Sequence, residues 1–355
     1  MTRIGMVAPI SHPYPPPGYG PWERVAHDLT EQLVAMGHDV TLFAAGGSST
    51  SARLIETITA PLDSGGADPR LEEERHLSIA MEAARSGAFE VIHSHLHVHG
   101  LIFSRLISTP ILTTLHGVAW DPATHPLLLQ YAEMPFVSLS NSERGFLPEL
   151  NYVATIPNGI RTHEIPVGDG SGGYLVFAGR MAPEKAPDLA IATARAAGLP
   201  LRLAGIVEDR HRDFFEANVL AASAGDIEYM GPLGRDALWR LLGGAHALVM
   251  PLRWHEPFGL VAVESLATGT PVIGWRMGAL PEIIEDGVSG FLVGNVAEAV
   301  GSVERVGDLD RATCRSVAET QFSDYVMAGG YSKVYQRLAV TTSRPAPGEQ
   351  APSPP

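Results

Sequence analysis

The feature that most constrains the fold of this chain is a regular alternation of short apolar runs with longer segments of helical period. In the first half, apolar runs of strand length occur at residues 4–7, 40–43, 91–93, 111–114, 137–139 and 153–156. Amphipathic helical patterns at residues 22–36 and 71–85 separate several of these runs. Such an alternation is typical of parallel β-α-β units, in which helices cover both faces of one sheet. It therefore predicts a doubly wound α/β domain.

The same alternation begins again after a glycine-rich stretch at residues 168–173. The second set of predicted strands lies at residues 174–178, 201–204, 227–230, 247–250, 272–274 and 291–293. The helices predicted with them lie at residues 189–197, 214–224, 260–268, 280–285 and 322–338. With 355 residues, and at roughly 150 residues per domain, the chain is long enough for two such domains. We expect them at residues 1–160 and 161–322, followed by a helix at 323–340.

Composition and charge exclude several classes of protein. The chain has 25 basic and 39 acidic residues, and its net charge of −14 has the wrong sign for bulk electrostatic binding of nucleic acid. No apolar run is long enough to cross a bilayer, and the first residues lack a secretory pattern, so we expect a cytoplasmic protein. The single cysteine, Cys314, excludes an intramolecular disulfide and a cysteine-based zinc finger. Five prolines among residues 341–355 predict a disordered tail.

The most informative segment is residues 254–264, with the sequence WHEPFGLVAVE. Pro257 suits the first turn of a helix, and Gly259 has no side chain to shield the backbone amides behind it from a ligand. Free N–H groups and the positive end of the helix dipole favour a phosphate there. Glu256 and Glu264 flank this position, and because carboxylates repel phosphate, their natural partners are hydroxyl groups. The pattern favours a nucleotide sugar; the alternative is an ordinary capped helix with surface acids.

A second segment, residues 177–185 with the sequence FAGRMAPEK, leaves a predicted strand through a glycine. Strand ends in open α/β sheets are where ligands bind. Lys185 is one of only two lysines in the chain, and Arg180 precedes it by five residues. An arginine fork on two phosphate oxygens and a lysine ammonium would together neutralise a diphosphate. The alternative is a surface ion pair of Lys185 with Glu184.

These two segments resemble motifs of the retaining glycosyltransferases of family 4. EPFGLVAVE matches the E-x7-E signature of that family, and GRMAPEK resembles its G-R-x-x-x-E-K diphosphate motif. Shorter similarities are GYGP, VIHSH, TLHG, IPNGI and GALPE, so the resemblance covers about residues 3–338. It implies the GT-B architecture, in which two Rossmann-like domains face a central cleft. The second domain would hold the donor, the first the acceptor, and the last helix would pack back on the first domain.

The resemblance also implies roles for particular residues. Those implied to bind the donor diphosphate are Gly20, Arg180, Lys185, Phe258, Gly259 and Leu260. Glu264 would bind the ribose, while His116 and Glu256 would contact the transferred sugar. The implied catalytic set is His116, Arg180, Lys185 and Glu256. The residues predicted on the acceptor side are Tyr14, Tyr19, His95, Trp120 and Asp121.

Two positions depart from the family pattern, and one run of histidines has an alternative interpretation. Arg161 stands where the family often has aspartate, and the proline-rich loop at residues 14–17 is expected to shape the acceptor pocket. Alternating histidines at positions 93, 95, 97 and 99 would share one face of a continuous strand, as metal ligands require. The run, however, passes from a strand end into a loop, and the family counterpart works without metal. We therefore expect no metal and no cofactor.

The sequence and the resemblance together predict a retaining glycosyltransferase. It would transfer a hexose from a nucleoside diphosphate sugar, UDP-glucose first and GDP-mannose second, to a hydroxyl of a small-molecule or glycan acceptor. Alternatives on the same architecture are a sugar-nucleotide epimerase and a glycosyl phosphorylase. A NAD-dependent oxidoreductase is disfavoured because residues 18–23 lack the third glycine of the dinucleotide fingerprint. A non-catalytic nucleotide-sugar-binding protein is the remaining alternative.

Overall fold

The computed structural model describes residues 1–18, 20–66 and 68–342. The chain forms two compact units. Unit 1 comprises Met1–Ser138, Glu149–Ile156 and the chain from Ala328 onward, whereas unit 2 comprises Leu139–Pro148 and Pro157–Met327. The chain therefore enters unit 2, returns to unit 1 and enters unit 2 again before it ends in unit 1.

This division differs from the expected ranges, 1–160 and 161–322, mainly in the segment Leu139–Pro148, which belongs to unit 2. The last helix also begins in unit 2 and continues into unit 1. It extends through residues 341 and 342, which were expected to start the disordered tail. The rest of that predicted tail, residues 343–355, lies outside the described residues.

Unit 1 is built on a seven-stranded parallel sheet. Its strands are β1 (Arg3–Val7), β2 (Asp39–Ala45), β3 (Arg53–Ile58), β4 (Val91–Ser94), β5 (Ile111–Thr114), β6 (Phe136–Ser138) and β7 (Tyr152–Thr155). Their order across the sheet is β3-β2-β1-β4-β5-β6-β7, so β1 pairs with β2 on one side and with β4 on the other. The strand order reverses at β1, which is the switch point of a doubly wound fold.

Unit 2 contains a second parallel sheet, of six strands. These are β8 (Leu175–Ala178), β9 (Leu201–Ala204), β10 (Ile227–Tyr229), β11 (Ala247–Met250), β12 (Val272–Trp275) and β13 (Gly290–Val293). The order β10-β9-β8-β11-β12-β13 places the switch point between β8 and β11. The two predicted nucleotide-sugar motifs directly follow these two strands. In a doubly wound sheet that is where a ligand site is expected.

Helices connect the strands of both units. They are α1 (Pro21–Ala35), α2 (Pro69–Arg85), α3 (His125–Gln130), α4 (Asn141–Arg144), α5 (Pro187–Ala197), α6 (Arg212–Phe215), α7 (Arg235–Gly244), α8 (Leu260–Ala267), α9 (Leu280–Ile283), α10 (Val296–Val303), α11 (Arg311–Phe322) and α12 (Asp324–Thr342). Proline occupies the first turn of α1, α2 and α5, where its missing N–H breaks no hydrogen bond. Across the described residues, every helix is too short or too polar to traverse a membrane.

The strands are buried on both faces, which explains why their apolar runs are continuous. Fully buried strand residues include Val7, Phe43 and Ile92 in unit 1 and Val176, Leu248 and Val272 in unit 2. Burial of one such side chain contributes about 1.5–3 kcal/mol to stability. The sheets are therefore rigid supports for the loops that leave their carboxyl ends.

The two sheets confirm the predicted α/β class and its pair of doubly wound domains. Every predicted strand is present, but the sequence analysis did not predict β3, α3, α4, α7, α10 and α11. The helix predicted at 214–224 is interrupted, because α6 gives way to a π-helical turn at Glu216–Leu220.

Candidate functional site

The predicted diphosphate segment lies at the carboxyl end of β8, the first strand of unit 2. This strand ends at Ala178, and residues 179–186 form the loop before α5. The loop that follows β9 passes directly beside it, because a Cβ on Gly205 would lie 1.8 Å from the carbonyl oxygen of Gly179. Only glycine fits at position 205, and the contact fixes the backbone from which Arg180 projects.

Arg180 is held by two carboxylates. Its guanidinium lies 3.0 Å from Glu184 and 3.0 Å from Glu208, and its side chain is 17% exposed. Partial burial raises the pKa of the Glu208 carboxyl, but hydrogen bonds from Arg210 and Arg180 outweigh burial and leave it below its ordinary value. Glu208 is therefore ionised at neutral pH. A diphosphate that binds Arg180 would have to replace or share these carboxylate partners.

Lys185 pairs with Glu256 rather than with Glu184. Its ammonium contacts the Glu256 carboxylate directly and lies 4.7 Å from the ring centre of Trp254. The Trp254 indole N–H donates a hydrogen bond of 2.9 Å to the same carboxylate. Lys185 and Glu256 are 71 residues apart in the chain, so this ion pair joins the two predicted motifs in one cluster.

An arginine that the sequence analysis did not consider links the same two loops. The Arg253 guanidinium donates to both carboxylate oxygens of Asp188, at 2.8 and 2.6 Å. The backbone N–H of Arg253 donates to the Glu184 carbonyl at 2.9 Å. A bidentate pair of this kind fixes geometry as well as charge. The two loops are therefore fastened beside the Lys185–Glu256 pair.

The predicted anion-binding helix, α8, begins at Leu260. Gly259 immediately before it has a φ of 110°, a left-handed conformation that favours glycine. On the other side of Glu256, a Cβ on Gly278 would lie 2.3 Å from the Glu256 nitrogen, so the loop after β12 packs against this backbone. The Ala279 N–H donates to the Glu256 carbonyl at 2.9 Å. The carboxylate of Glu256 is thereby held near a helix start whose first N–H groups have no intrahelical partner.

Glu264 lies one turn inside α8 and is half-buried. The indole N–H of Trp239, from α7, donates to its Oε1 atom at 3.2 Å. Trp239 itself is only 4% exposed, and the Arg235 guanidinium lies 4.5 Å from its ring centre. A buried ring therefore fixes the direction of the Glu264 carboxylate. The sequence analysis missed this tryptophan because no local signal relates α7 to α8.

Unit 2 thus contains two cations, a helix start and two oriented carboxylates at the carboxyl ends of β8 and β11. Such a set can bind a diphosphate through Arg180, Lys185 and the first N–H groups of α8. It can bind hydroxyl groups through Glu256 and Glu264, since ionised carboxylates accept hydrogen bonds and do not donate them. Phe258, predicted beside the diphosphate, is buried, so only its backbone is suited to that role.

The predicted histidine of unit 1, His116, belongs to a buried cluster. It follows β5 as His95 follows β4, and His95 Nδ1 lies 2.8 Å from His116 Nε2. His93 on β4 is hydrogen-bonded to Tyr335 of α12 at 2.7 Å and to Thr114 at 2.8 Å. Burial holds the pKa values of His93, His95 and His116 well below the ordinary value. All three imidazoles are therefore neutral at physiological pH.

The alternating histidines do not continue along one face of a strand. β4 ends at Ser94, and His97 beyond it has a φ of 52°, so the two-residue period stops where the sequence analysis expected. His93 uses both ring nitrogens for hydroxyl partners, and His97 Nδ1 lies 3.0 Å from the Leu115 carbonyl. In the part of the chain that the structure describes, no group of three or more His, Cys, Asp or Glu is arranged to hold a metal.

The predicted acceptor-side residues differ in their exposure. The side chains of Tyr14 and His95 are buried, at 1% and 0% exposed. Asp121 is exposed, but its carboxylate accepts a hydrogen bond of 3.0 Å from the Ala123 N–H. It therefore caps a short 3-10 turn.

Two tryptophans of unit 1 remain exposed. Trp120, a predicted acceptor residue, is 43% exposed, and Trp22 in the first turn of α1 is 44% exposed. The ring centre of Trp22 lies 6.4 Å from that of His116. Gly20, just before this helix, is needed for packing, since a Cβ there would lie 2.8 Å from Pro16. Tyr19, the remaining predicted acceptor residue, lies outside the described residues.

Two family models match the chain, and they follow one another along it. Residues 22–164 match Glycosyltransferase Family 4, and residues 163–309 match Glycosyl transferases group 1. The chain is also similar to the D-inositol 3-phosphate glycosyltransferase of Frankia alni. The two are 28% identical over 326 residues, which cover 75% of this chain and 80% of that protein.

Solved structures share the architecture over about 95% of this chain. Sucrose-phosphate synthase from Thermosynechococcus elongatus has a TM-score of 0.78 at 20% identity, with 96% of this chain and 100% of that chain covered. Anabaena HepE in complex with UDP and glucose has a TM-score of 0.73 at 16% identity, with 95% and 100% covered. At these identities the similarity shows the fold alone. Together with the family models, it shows that the chain belongs to glycosyltransferase family 4 and has the GT-B fold.

Proposed function

We propose that the chain is a retaining hexosyltransferase that uses a nucleoside diphosphate sugar and a hydroxyl acceptor, without a metal or another cofactor. UDP-glucose is the first donor to test, since HepE was solved with UDP and glucose, and GDP-mannose is the second. The acceptor is a small molecule or a glycan. The name of the Frankia alni relative makes a phosphorylated cyclitol the first acceptor to test.

The observation that most directly supports this proposal is the contact of Lys185 with Glu256 beside the start of α8. An ammonium that is paired with a carboxylate can exchange that partner for a diphosphate, which has more charge and is also attracted by the helix N–H groups. The exchange would remove one of the two donors on Glu256 Oε2 and increase the capacity of this carboxylate to accept hydroxyl hydrogen bonds from the sugar. When Lys185 exchanges Glu256 for the diphosphate, the phosphate gains a cation and the sugar gains an available carboxylate in the same step.

The bond to be broken joins the anomeric carbon to a phosphate oxygen. Its transition state has a sugar with cationic character and a departing diphosphate whose negative charge is growing. Groups that bind this charge more strongly than they bind the ground state lower the barrier. Arg180, Lys185 and the start of α8 are the groups that we assign to this stabilisation, and neutral His116 is assigned to the transferred sugar.

Retention requires the acceptor oxygen to attack from the face that the diphosphate leaves. We assign the acceptor proton to the departing phosphate oxygen on that face, so that Glu256 orients the sugar and does not attack it. A retaining glycosidase would instead need a nucleophilic and an acid carboxyl group about 5 Å apart across the sugar. Glu256 already accepts from Lys185 and Trp254, which suits a carboxylate that orients a ligand.

The test compares the two lysines of the chain. Lys185→Ala removes the proposed diphosphate ligand, whereas Lys333→Ala removes the exposed lysine of α12. We expect Lys185→Ala to lower transfer by about 10²-fold or more, the usual loss for a charged partner of a developing anion. It should also weaken UDP binding, and Lys333→Ala should change neither quantity. Release of UDP or GDP with candidate acceptors measures transfer, and calorimetry measures nucleotide affinity.

Unchanged transfer and unchanged UDP affinity in Lys185→Ala would refute the diphosphate assignment. Donor incubated alone would reveal an epimerase, and donor with inorganic phosphate would reveal a phosphorylase. The anomeric coupling constant of the product, measured by proton NMR, tests retention. Activity that falls on addition of EDTA and returns with a divalent metal would contradict the metal-independent mechanism.

A further inference from the structure

We infer that two tryptophans, Trp239 and Trp254, position the two glutamates of the E-x7-E pair through their indole N–H groups. Trp239 donates to Glu264 at 3.2 Å, and Trp254 donates to Glu256 at 2.9 Å. They are positioning residues, because each acts through a carboxylate. The inference rests on the proposed function, since it takes Glu264 as the ribose ligand and Glu256 as the sugar ligand.

Trp254 and Lys185 contact the same oxygen of Glu256, Oε2. The two donors differ in what a diphosphate does to them. The Lys185 ammonium is attracted to the phosphate and exchanges the carboxylate for it. The neutral indole N–H of Trp254 is attracted to the phosphate much less, so it stays on the carboxylate. Trp254 therefore keeps Oε2 in place after the exchange and directs Oε1 to the ligand. Without it, the carboxylate would lose its fixed direction at the moment when the sugar binds.

The second indole is more rigid. Trp239 is 4% exposed within unit 2, and Arg235 lies 4.5 Å from its ring centre on α7. An indole has one donor and no acceptor, so the hydrogen bond to Glu264 uses the only N–H that the Trp239 side chain has. The ring cannot turn without repacking the helices around it. Trp239 therefore holds Oε1 of Glu264 and directs Oε2 to the ribose hydroxyls.

The test removes each N–H and keeps an aromatic ring, with Trp239→Phe and Trp254→Phe. The matched control is Trp275→Phe, on buried strand β12 of the same unit, where the ring is 7% exposed. Calorimetry measures the affinities for UDP, UDP-glucose and 2′,3′-dideoxyuridine diphosphate, with GDP and GDP-mannose in parallel. A general loss of structure would weaken the binding of all these ligands together.

We expect Trp239→Phe to weaken UDP and UDP-glucose equally, by about tenfold, the loss for one hydrogen bond to a charged group. The dideoxy nucleotide, which offers Glu264 no ribose hydroxyl, should bind Trp239→Phe as it binds the wild type. Trp254→Phe should leave UDP binding unchanged while UDP-glucose affinity and the rate of transfer fall. Trp275→Phe should alter none of these values.

A second measurement does not require the tryptophan variants to fold. The chain has five tryptophans, so a ¹H–¹⁵N spectrum of the wild type contains five indole signals. Glu264→Gln should shift one of them and Glu256→Gln a different one, because each substitution replaces a charged acceptor by a neutral one. Spectra in which both substitutions leave every indole signal unmoved would overturn the inference.

The inference is also wrong if Trp239→Phe weakens the dideoxy nucleotide as much as UDP, or if its effect persists undiminished in a Glu264→Gln background. Failure of the proposed function has a different signature. In that case Glu264→Gln and Glu256→Gln themselves would leave nucleotide and nucleotide-sugar binding unchanged, or the wild type would bind neither nucleotide. A functional glutamate pair with silent tryptophan variants would refute the positioning role alone.

Discussion

The charged site of unit 2 and the buried network around His93 in unit 1 differ in how their polar groups are paired. In unit 2, charged side chains pair with one another at partly exposed positions, as Arg180 does with Glu208 and Lys185 with Glu256. In unit 1, the polar groups around His93 and Tyr335 are buried and neutral. Exposed ion pairs contribute about 0–1 kcal/mol, whereas a buried group that loses its partner costs about 1–3 kcal/mol. The charged site is thus suited to exchange partners with a ligand, and the neutral network is suited to hold a fold.

The largest effect that would test this contrast is expected from one substitution in each region. His93→Phe removes the partner of the Tyr335 hydroxyl and one partner of Thr114, so it should lower the free energy of unfolding by about 2–4 kcal/mol. Its affinity for UDP should not change. Arg180→Ala should do the reverse, with weakened UDP binding and a free energy of unfolding within about 1 kcal/mol of the wild type.

Urea unfolding and calorimetry measure the two quantities for both variants. His99→Phe, at an exposed histidine, serves as the control for the ring exchange and should alter stability by less than about 0.5 kcal/mol. The contrast breaks if Arg180→Ala is the less stable variant, because its ion pairs would then be structural. It also breaks if His93→Phe is as stable as the wild type.

The sheets could be predicted because each central strand corresponds to a continuous apolar run that is visible in the local sequence. β8, β11 and β12 are apolar on both faces, and glycine or proline ends the run. β3 was missed because it is an edge strand, half-buried, whose apolar run is interrupted by Arg53 and Glu56. α10 had a readable signal that was overlooked, since Asn295 caps the Glu298 N–H at 3.0 Å and these residue types are typical of a helix start.

In the site of unit 2, the contiguous motifs could be predicted but the contacts between them could not. Lys185 and Glu256 were identified from motifs that are each contiguous in sequence, but their mutual contact spans 71 residues and no local pattern encodes it. Glu208 and Trp239 were missed for the same reason, because each reaches the site from another loop or helix. The burial of Tyr14 could not be predicted, because a loop sequence does not reveal which of its side chains turn inward.

A second prediction sharpens the contrast through pH. His76 on α2 is fully buried in unit 1, and burial lowers its pKa to about 4. Below pH about 6.5 the unfolded chain binds a proton at His76, whereas the folded chain does not. The free energy of unfolding therefore falls as the pH falls toward 4. One such histidine contributes a slope of about 1.4 kcal/mol per pH unit within this window. His76→Asn, which can retain the hydrogen bond to Thr57, should remove that slope.

Urea unfolding of both proteins between pH 4.5 and 8 provides the measurement, with the range above pH 7 as an internal control. There neither state binds a proton at His76, so the difference in stability between variant and wild type should be constant. If the wild type and His76→Asn lose stability in parallel below pH 6.5, then His76 is protonated in the folded protein, and burial in unit 1 does not keep this histidine neutral.

The smallest expected effect distinguishes between two roles of the ion pair of Glu208 with Arg180 in unit 2. Glu208 is either a competitor that the diphosphate must displace from Arg180 or a support that orients it. The pair is weak, with side chains 17% and 31% exposed, and Glu184 also holds Arg180 at 3.0 Å. Glu208→Gln keeps the shape and removes the negative charge, so a competitor predicts UDP binding that is tighter by about two- to fivefold. Glu228→Gln, from an exposed pair with Arg202 at 3.8 Å, should leave UDP affinity unchanged. Weaker UDP binding in Glu208→Gln would instead show that Glu208 orients Arg180 for the diphosphate. The ion pairs of unit 2 would then be fixed, like the hydrogen bonds around His93 in unit 1, and would not exchange partners with a ligand.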